Sequence, residues 1–262
     1  EMSASLVGSE MCIRDRFYVD ATPGSSIDDP ERPSIPDEGD KEEPKPDEDE
    51  NVTGTLAFED IWPSGGDYDM NDVIVEYERK VYFDKKNIVT KIVDEFTPVH
   101  DGATYVNAFA YQIDAAQIGD KITLPEGAIL EKETSSIIVM SNAKQNIGNK
   151  YVVTREFNGS FLKNQLLSYN PYIIVKYSQG EQNRTEVHLP KHKATAYANQ
   201  SLIGSNDDAY YIDRKGAYPF AIDIPMLGFT PVTERNRIDS QYPGFATWAK
   251  SMGNDCKDWY KK

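Results

Sequence analysis

From Thr53 onward, apolar and polar residues alternate in short runs separated by Gly, Pro, Asn and Asp, and this period-2 pattern predicts strands. Strands are expected over residues 55–62, 73–83, 87–96, 105–113, 137–140, 151–153, 172–177 and 185–189. The longest of these, Val73-Ile-Val-Glu-Tyr-Glu-Arg-Lys-Val-Tyr-Phe83, is rich in β-branched and aromatic residues, which suit a pleated, half-buried surface. Helical spacing occurs twice. It is weak in residues 161–167 and clearer in residues 237–252, where Ile238, Tyr242, Phe245, Trp248 and Ala249 share a face, Pro243 sits in the first turn and Gly253 follows as a stop. Many short strands and one closing helix predict an all-β fold, a jelly-roll-like β-sandwich with a C-terminal helix packed at one end.

Composition divides the chain into three. Residues 1–16 lack the basic and apolar regions of an export signal and resemble a translated sequencing adaptor, so they are read as non-native. Residues 17–52 form an acidic, Pro-rich linker with little to bury, expected to be disordered and extended, a stalk or a solvated tail. Residues 53–262 are the folded domain. The net charge of −15 is concentrated in the linker: residues 28–50 carry twelve acids and three bases, whereas residues 51–262 carry 27 acids and 23 bases. There is no basic stripe, so nucleic acid is not an expected partner, and no apolar run is long enough to span a membrane. Of the two cysteines, Cys12 lies in the adaptor-like segment, and Cys256 reads as a packed residue.

The densest chemistry lies between the first two predicted strands, in Phe58-Glu-Asp-Ile-Trp-Pro-Ser-Gly-Gly-Asp67-Tyr-Asp69-Met-Asn71-Asp72. Five acids and an amide in one Gly-rich turn repel each other unless a cation sits among them, and hard oxygen ligands suit Ca²⁺. The spacing of Asp67, Asp69 and Asn71 matches the first three ligand positions of an EF-hand loop. The match ends there, because Asp72 stands where that loop needs Gly and Glu78 falls inside a strand. Alternation along residues 55–62 turns Asp60 inward, where an unpaired carboxylate is costly. Asp60, Asp67, Asp69, Asn71 and Asp72 are therefore the expected metal ligands. Glu59, facing the other way, is the weaker sixth. The alternative is a polar hairpin loop with Asx-turns and no metal.

Other chemistry is thin. His188 and His192 have the spacing of a zinc pair on a helix, but a strand precedes them and Pro190 separates them. There is no nucleophile elbow and no phosphate loop. Spare acids (Glu76, Glu131, Asp207, Asp223) leave room for a two-carboxylate hydrolase, and Trp62, Tyr68, Trp248, Trp259 and Tyr260 are candidates for stacking on sugars or for core packing. Asp207-Asp208 reads as an exposed turn.

The acidic turn, followed in order by Glu186-Val-His-Leu-Pro190, Asp207-Asp208, Tyr218-Pro-Phe-Ala-Ile222, Trp248-Ala and Asp258-Trp-Tyr260, resembles the LruC-type domain of exported and lipid-anchored proteins of Gram-negative bacteria. The resemblance runs over residues 54–260. It departs at Lys191 and Ala194-Thr195, where the family tends to have Gly and a Pro-Thr pair, and at Phe220, where the family often has Trp. The resemblance implies a β-sandwich, a Ca²⁺ site at the acidic turn, and export to the outer membrane, cell surface or periplasm. It implies no particular activity. The resulting expectation is a non-catalytic envelope module with a structural calcium ion, presenting loops to a surface glycan or an envelope protein. A carbohydrate hydrolase using paired carboxylates and a self-assembling surface subunit are the alternatives.

Overall fold

A computed structural model describes residues 48–159 and 161–261. The adaptor-like segment and residues 17–47 lie outside the described residues. Strand β1 (Glu48–Phe58) takes in the last five residues of the expected linker. It does so because β2 (Val73–Phe83) pairs with it antiparallel along its whole length, from Glu48↔Phe83 to Phe58↔Val73. The partner strand overrides a composition that would not form structure alone.

Nine further strands follow: β3 (Val89–His100), β4 (Ala108–Gln112), β5 (Lys121–Thr123), β6 (Ile129–Glu131), β7 (Ser136–Met140), β8 (Tyr151–Glu156), β9 (Asn170–Val175), β10 (Thr185–His188) and β11 (Ala221–Ile224). They form two antiparallel sheets, ordered β11-β1-β2-β3-β8-β5 and β10-β9-β4-β7-β6. The expected β-sandwich is what the chain adopts. Both sheets end in strands of three or four residues, which leaves little unpaired backbone at the edges.

Alternation builds the interior. Leu56, Phe58, Val75, Tyr77 and Phe96 from the first sheet meet Phe109, Tyr111, Ile137, Val139 and Ile173 from the second. Phe96 packs on both Phe109 and Tyr111, with ring centres 5.1 Å apart in each case. The inward positions also carry charge. Asp94 accepts from Arg79 Nε at 2.7 Å, Arg155 Nη2 at 3.4 Å, Tyr169 OH at 3.0 Å and Tyr111 OH at 3.3 Å, and all five side chains are buried. This charged layer lies between the main apolar core and a smaller cluster of Val81, Phe83, Val89, Ile92, Phe157 and Leu166.

The outer face of the second sheet carries another buried network. Arg184 pairs with Glu131 and Glu186, and Glu186 also contacts His188 Nε2 and Thr195 Oγ1. His188 therefore sits at a strand end held by a carboxylate. It shares the amide oxygen of Asn170 with His192.

The expected C-terminal helix is two helices, α1 (Ile238–Gln241) and α2 (Phe245–Lys250). Pro243 divides them: it lacks an N–H, and it pushes the preceding Tyr242 out of the helical region, to φ −123° and ψ 78°. The stop after α2 falls one residue earlier than Gly253. Met252 takes the left-handed conformation, φ 57°, and donates to Ala249 O, while Gly253 N–H reaches back to Trp248 O at 2.8 Å. The expected helix in residues 161–167 is a single 3-10 turn at Lys163–Gln165.

Candidate cation site

Residues 59–72 join the paired ends of β1 and β2, so both halves of the acidic turn start from one place in the sheet. Alternation stops at Phe58, the last residue of β1. Beyond it, Glu59 and Asp60 are both buried. The expectation that Glu59 faces away from the site is therefore overturned. Its Oε1 accepts from Met70 N at 2.6 Å, and its Oε2 is buried with no hydrogen-bond partner. Tyr68 and Met70 both take left-handed backbone, φ 54° and 55°, and bury their side chains. The Tyr68 ring lies against Tyr218 and Phe220, with centres 5.6 Å away in each case. The acids between and before them turn toward Glu59: carboxylate oxygens of Glu59, Asp67 and Asp69 lie within 4.8 Å of one another.

The remaining expected ligands stand beside this trio. Asp60 N donates to Asp72 Oδ2 at 2.7 Å, and Asp60 Oδ2 accepts from Asn107 Nδ2 at 2.7 Å. Asn71 Nδ2 donates to Val232 O at 3.0 Å. Asp69 Oδ2 accepts from Arg235 N at 3.0 Å, so the segment leading into α1 closes over the turn. Gly66 is needed for close approach: a Cβ there would come within 2.7 Å of Glu59 Oε2 and 3.0 Å of Ile61 Cδ1. Two residues that the sequence pattern did not single out, Asn107 and Asp101, also face the turn. The side chain of Asp101 is fully buried, with Lys144 Nζ 3.6 Å from Oδ1.

Crowding shows in the proton affinities. Burial, then the charge of Asp72, raises Glu59 well above the ordinary carboxylate range. Burial raises Asp69 to about 6, with Asp67 and Glu234 adding to it. Burial and then Asp60 raise Asp72 to about 7, and burial raises Asp60 as well. Without a cation, the native state thus holds more protons than the unfolded chain between about pH 4 and 7. By linkage its stability falls as pH rises through that window. Half-buried His100 and buried His188 are held below their ordinary value and pull the opposite way, as does Glu186, lowered to about 2, at the acidic end; against them stand five raised carboxylates, with burial lifting Asp101 to about 6 as well. In EDTA the urea midpoint is expected to be higher near pH 5 than near pH 7.5. Calcium is expected to remove or reverse that order, because it replaces the protons. A midpoint in EDTA that rises with pH through this window would show that the carboxylates are not held apart from water as described.

The donor set fits a hard cation. Opposite oxygens on a Ca²⁺ held at about 2.4 Å stand about 4.8 Å apart, the span within which the trio falls. The orphaned Glu59 Oε2 is the atom such an ion would satisfy. No comparable arrangement surrounds the other spare acids. Glu131 is held by Arg184, Asp207 by Lys215, Asp223 by Tyr77, and Glu76 accepts from Gly228 N. Of the aromatic set, Trp62, Tyr68, Trp259 and Tyr260 are buried in the core. Asp208, expected in an exposed turn, is fully buried and accepts from Trp62 Nε1, Gly204 N and Tyr211 N.

Fold and site together define an antiparallel β-sandwich with a carboxylate cluster on the connection between two central strands. The chain belongs to the family described as a domain of unknown function, DUF4842, which it matches over residues 130–260. The matched stretch opens within β6 and runs through α2, and the acidic turn lies ahead of it. Comparison with curated proteins and with solved structures finds no match.

Proposed function

We propose that this chain is a non-catalytic β-sandwich module of the cell envelope, with a divalent cation, calcium first, held by Glu59, Asp67 and Asp69. The observation that carries the reading is Glu59: a fully buried carboxylate with one oxygen unpartnered, facing two further carboxylates. Burying such a group unpaired is expensive, and a cation is the economical remedy. The module presents its loops to a surface glycan or another envelope protein. Envelope location rests on the LruC-type resemblance of the acidic turn and the later blocks. Among the described residues no helix is long and apolar enough to cross a membrane. The engaged state of Glu76, Glu131, Asp207 and Asp223 favours this reading over hydrolysis by two facing acids. Calorimetric titration of the full chain with Ca²⁺ and with Mg²⁺ tests it. Calcium binding that disappears in Glu59→Gln is expected. Equal heats in parent and variant would remove the site.

A further inference from the structure

Half of the exposed large hydrophobic side chains among the described residues gather at one end of the sandwich. Of the ten, Ile61, Val99, Tyr105, Val106 and Ile147 stand on the segments that enter or leave the sheets beside the acidic turn. Ile61 follows Asp60, and Val106 precedes Asn107, whose Nδ2 donates to Asp60 Oδ2 at 2.7 Å. Val99 lies near the end of β3 and follows Pro98, whose carbonyl accepts from Gly148 N at 2.8 Å and so brings Ile147 alongside. Asn107 O accepts from Ala143 N at 2.9 Å, which ties the loop carrying Ile147 to the one carrying Tyr105 and Val106. Scattered exposed apolar residues need no explanation, but five at one pole of a fold, on loops bonded to one another, mark a surface that meets something.

Positive groups stand among them. Lys176 Nζ lies 4.0 Å from the centre of the Tyr105 ring, and Lys144, about half exposed, donates to Ala103 O. Both ammonium groups act on Asp60. Arg235 is exposed, and its N–H is held by Asp69. The cation trio belongs to the same end, and Asp67 is its least buried member. Apolar side chains, ammonium groups on long apolar stems and a divalent ion together match the layers of a phospholipid surface, acyl chains within and phosphates outside. They match a sugar less well, because the one aromatic ring among the five already carries an ammonium on its face.

We propose that this end of the module docks on an anionic phospholipid surface. Ile61, Val106 and Ile147 enter the apolar layer, and Lys144 and Lys176 meet phosphates. The ion bridges the acidic turn to a phosphate oxygen, a hard ligand of the kind calcium takes. Docking of this kind rests on the cation reading of the turn, because without the ion its clustered carboxylates repel an anionic surface.

Co-sedimentation of the full chain with vesicles tests this, with calorimetry of calcium binding run beside it. In calcium the parent is expected to bind vesicles of phosphatidylcholine and phosphatidylglycerol about tenfold more tightly than in EDTA. Val106→Ser combined with Ile147→Ser is expected to bind calcium as the parent does, and these vesicles about tenfold less tightly. A parent that binds calcium but does not sediment with vesicles overturns the docking and leaves the cation site standing. So does sedimentation that the paired substitution leaves unchanged, or that is as strong on phosphatidylcholine alone. No calcium binding by the parent overturns both. If circular dichroism shows that the paired variant does not fold, Lys176→Gln decides: its vesicle affinity is expected to fall about fivefold, and an unchanged affinity overturns the docking.

Discussion

In about 10 mM calcium the full chain is expected to melt about 5–10 °C above the same protein in EDTA. Sites of this kind outside the cytosol bind with dissociation constants of about 10⁻⁴ M. At a hundredfold excess over that constant, mass action contributes about 2.7 kcal/mol to a native state that alone binds the ion. Glu59→Gln separates this from a general salt effect because its two effects have opposite signs. In EDTA the variant is expected to melt at or above the parent, since a neutral amide avoids the cost of keeping a buried carboxyl protonated beside Asp72, Asp69 and Asp67. In calcium it is expected to gain nothing. Identical melting of the parent in calcium, magnesium and EDTA would sink the cation reading and leave a polar loop whose buried carboxylates stay protonated.

The second large effect belongs to the charged layer inside the sandwich. Asp94→Ala is expected to cost about 3–5 kcal/mol, read as the shift of a urea unfolding curve. Among the described residues, Asp94 is the acid bonded to both Arg79 and Arg155, and removing it takes that carboxylate from two guanidinium groups in the interior and an acceptor from Tyr111 and Tyr169. The burial that lowers the affinity of Arg155 for its proton acts unopposed once Asp94 is gone. Replacing Arg79, Asp94 and Arg155 together by apolar residues of similar volume is expected to recover most of the loss, because the desolvation of the charges goes with them. A loss under about 1 kcal/mol for Asp94→Ala would mean that water reaches the layer.

The charged layer was not read from the sequence. Arg79 and Asp94 lie inside the expected strands 73–83 and 87–96, but Arg155 lies beyond the expected strand 151–153, which β8 extends to Glu156. Alternation also delimited β2 residue for residue. It missed β5, β6 and β11 because three or four residues are too few for a period-2 pattern to emerge. The acidic turn was legible as a concentration of oxygen ligands, and Asp60 is buried as expected, but Glu59 was misassigned. The alternation used to orient them ends with β1 at Phe58, and the chain then turns so that both are buried. Asp101 and Asn107 carry no local signal. A lone acid and a lone amide in a loop come beside the turn only through folding, as Gly102 N reaches Asn71 O and Asn107 Nδ2 reaches Asp60 Oδ2.

The acidic turn is contiguous in sequence, but the bonds that shape it are not. Asn71 is held by Val232 across 161 residues, and Asp69 by Arg235 across 166. The geometry of the turn is therefore complete only once the segment before α1 has docked, and closing loops of that length is expected to follow the transition state. An ion that meets its site after the transition state cannot hasten the approach to it. It can only slow the departure. Calcium should therefore lengthen the lifetime of the folded module and leave its refolding rate alone, and a chelator should shorten that lifetime by the full stabilisation the ion provides.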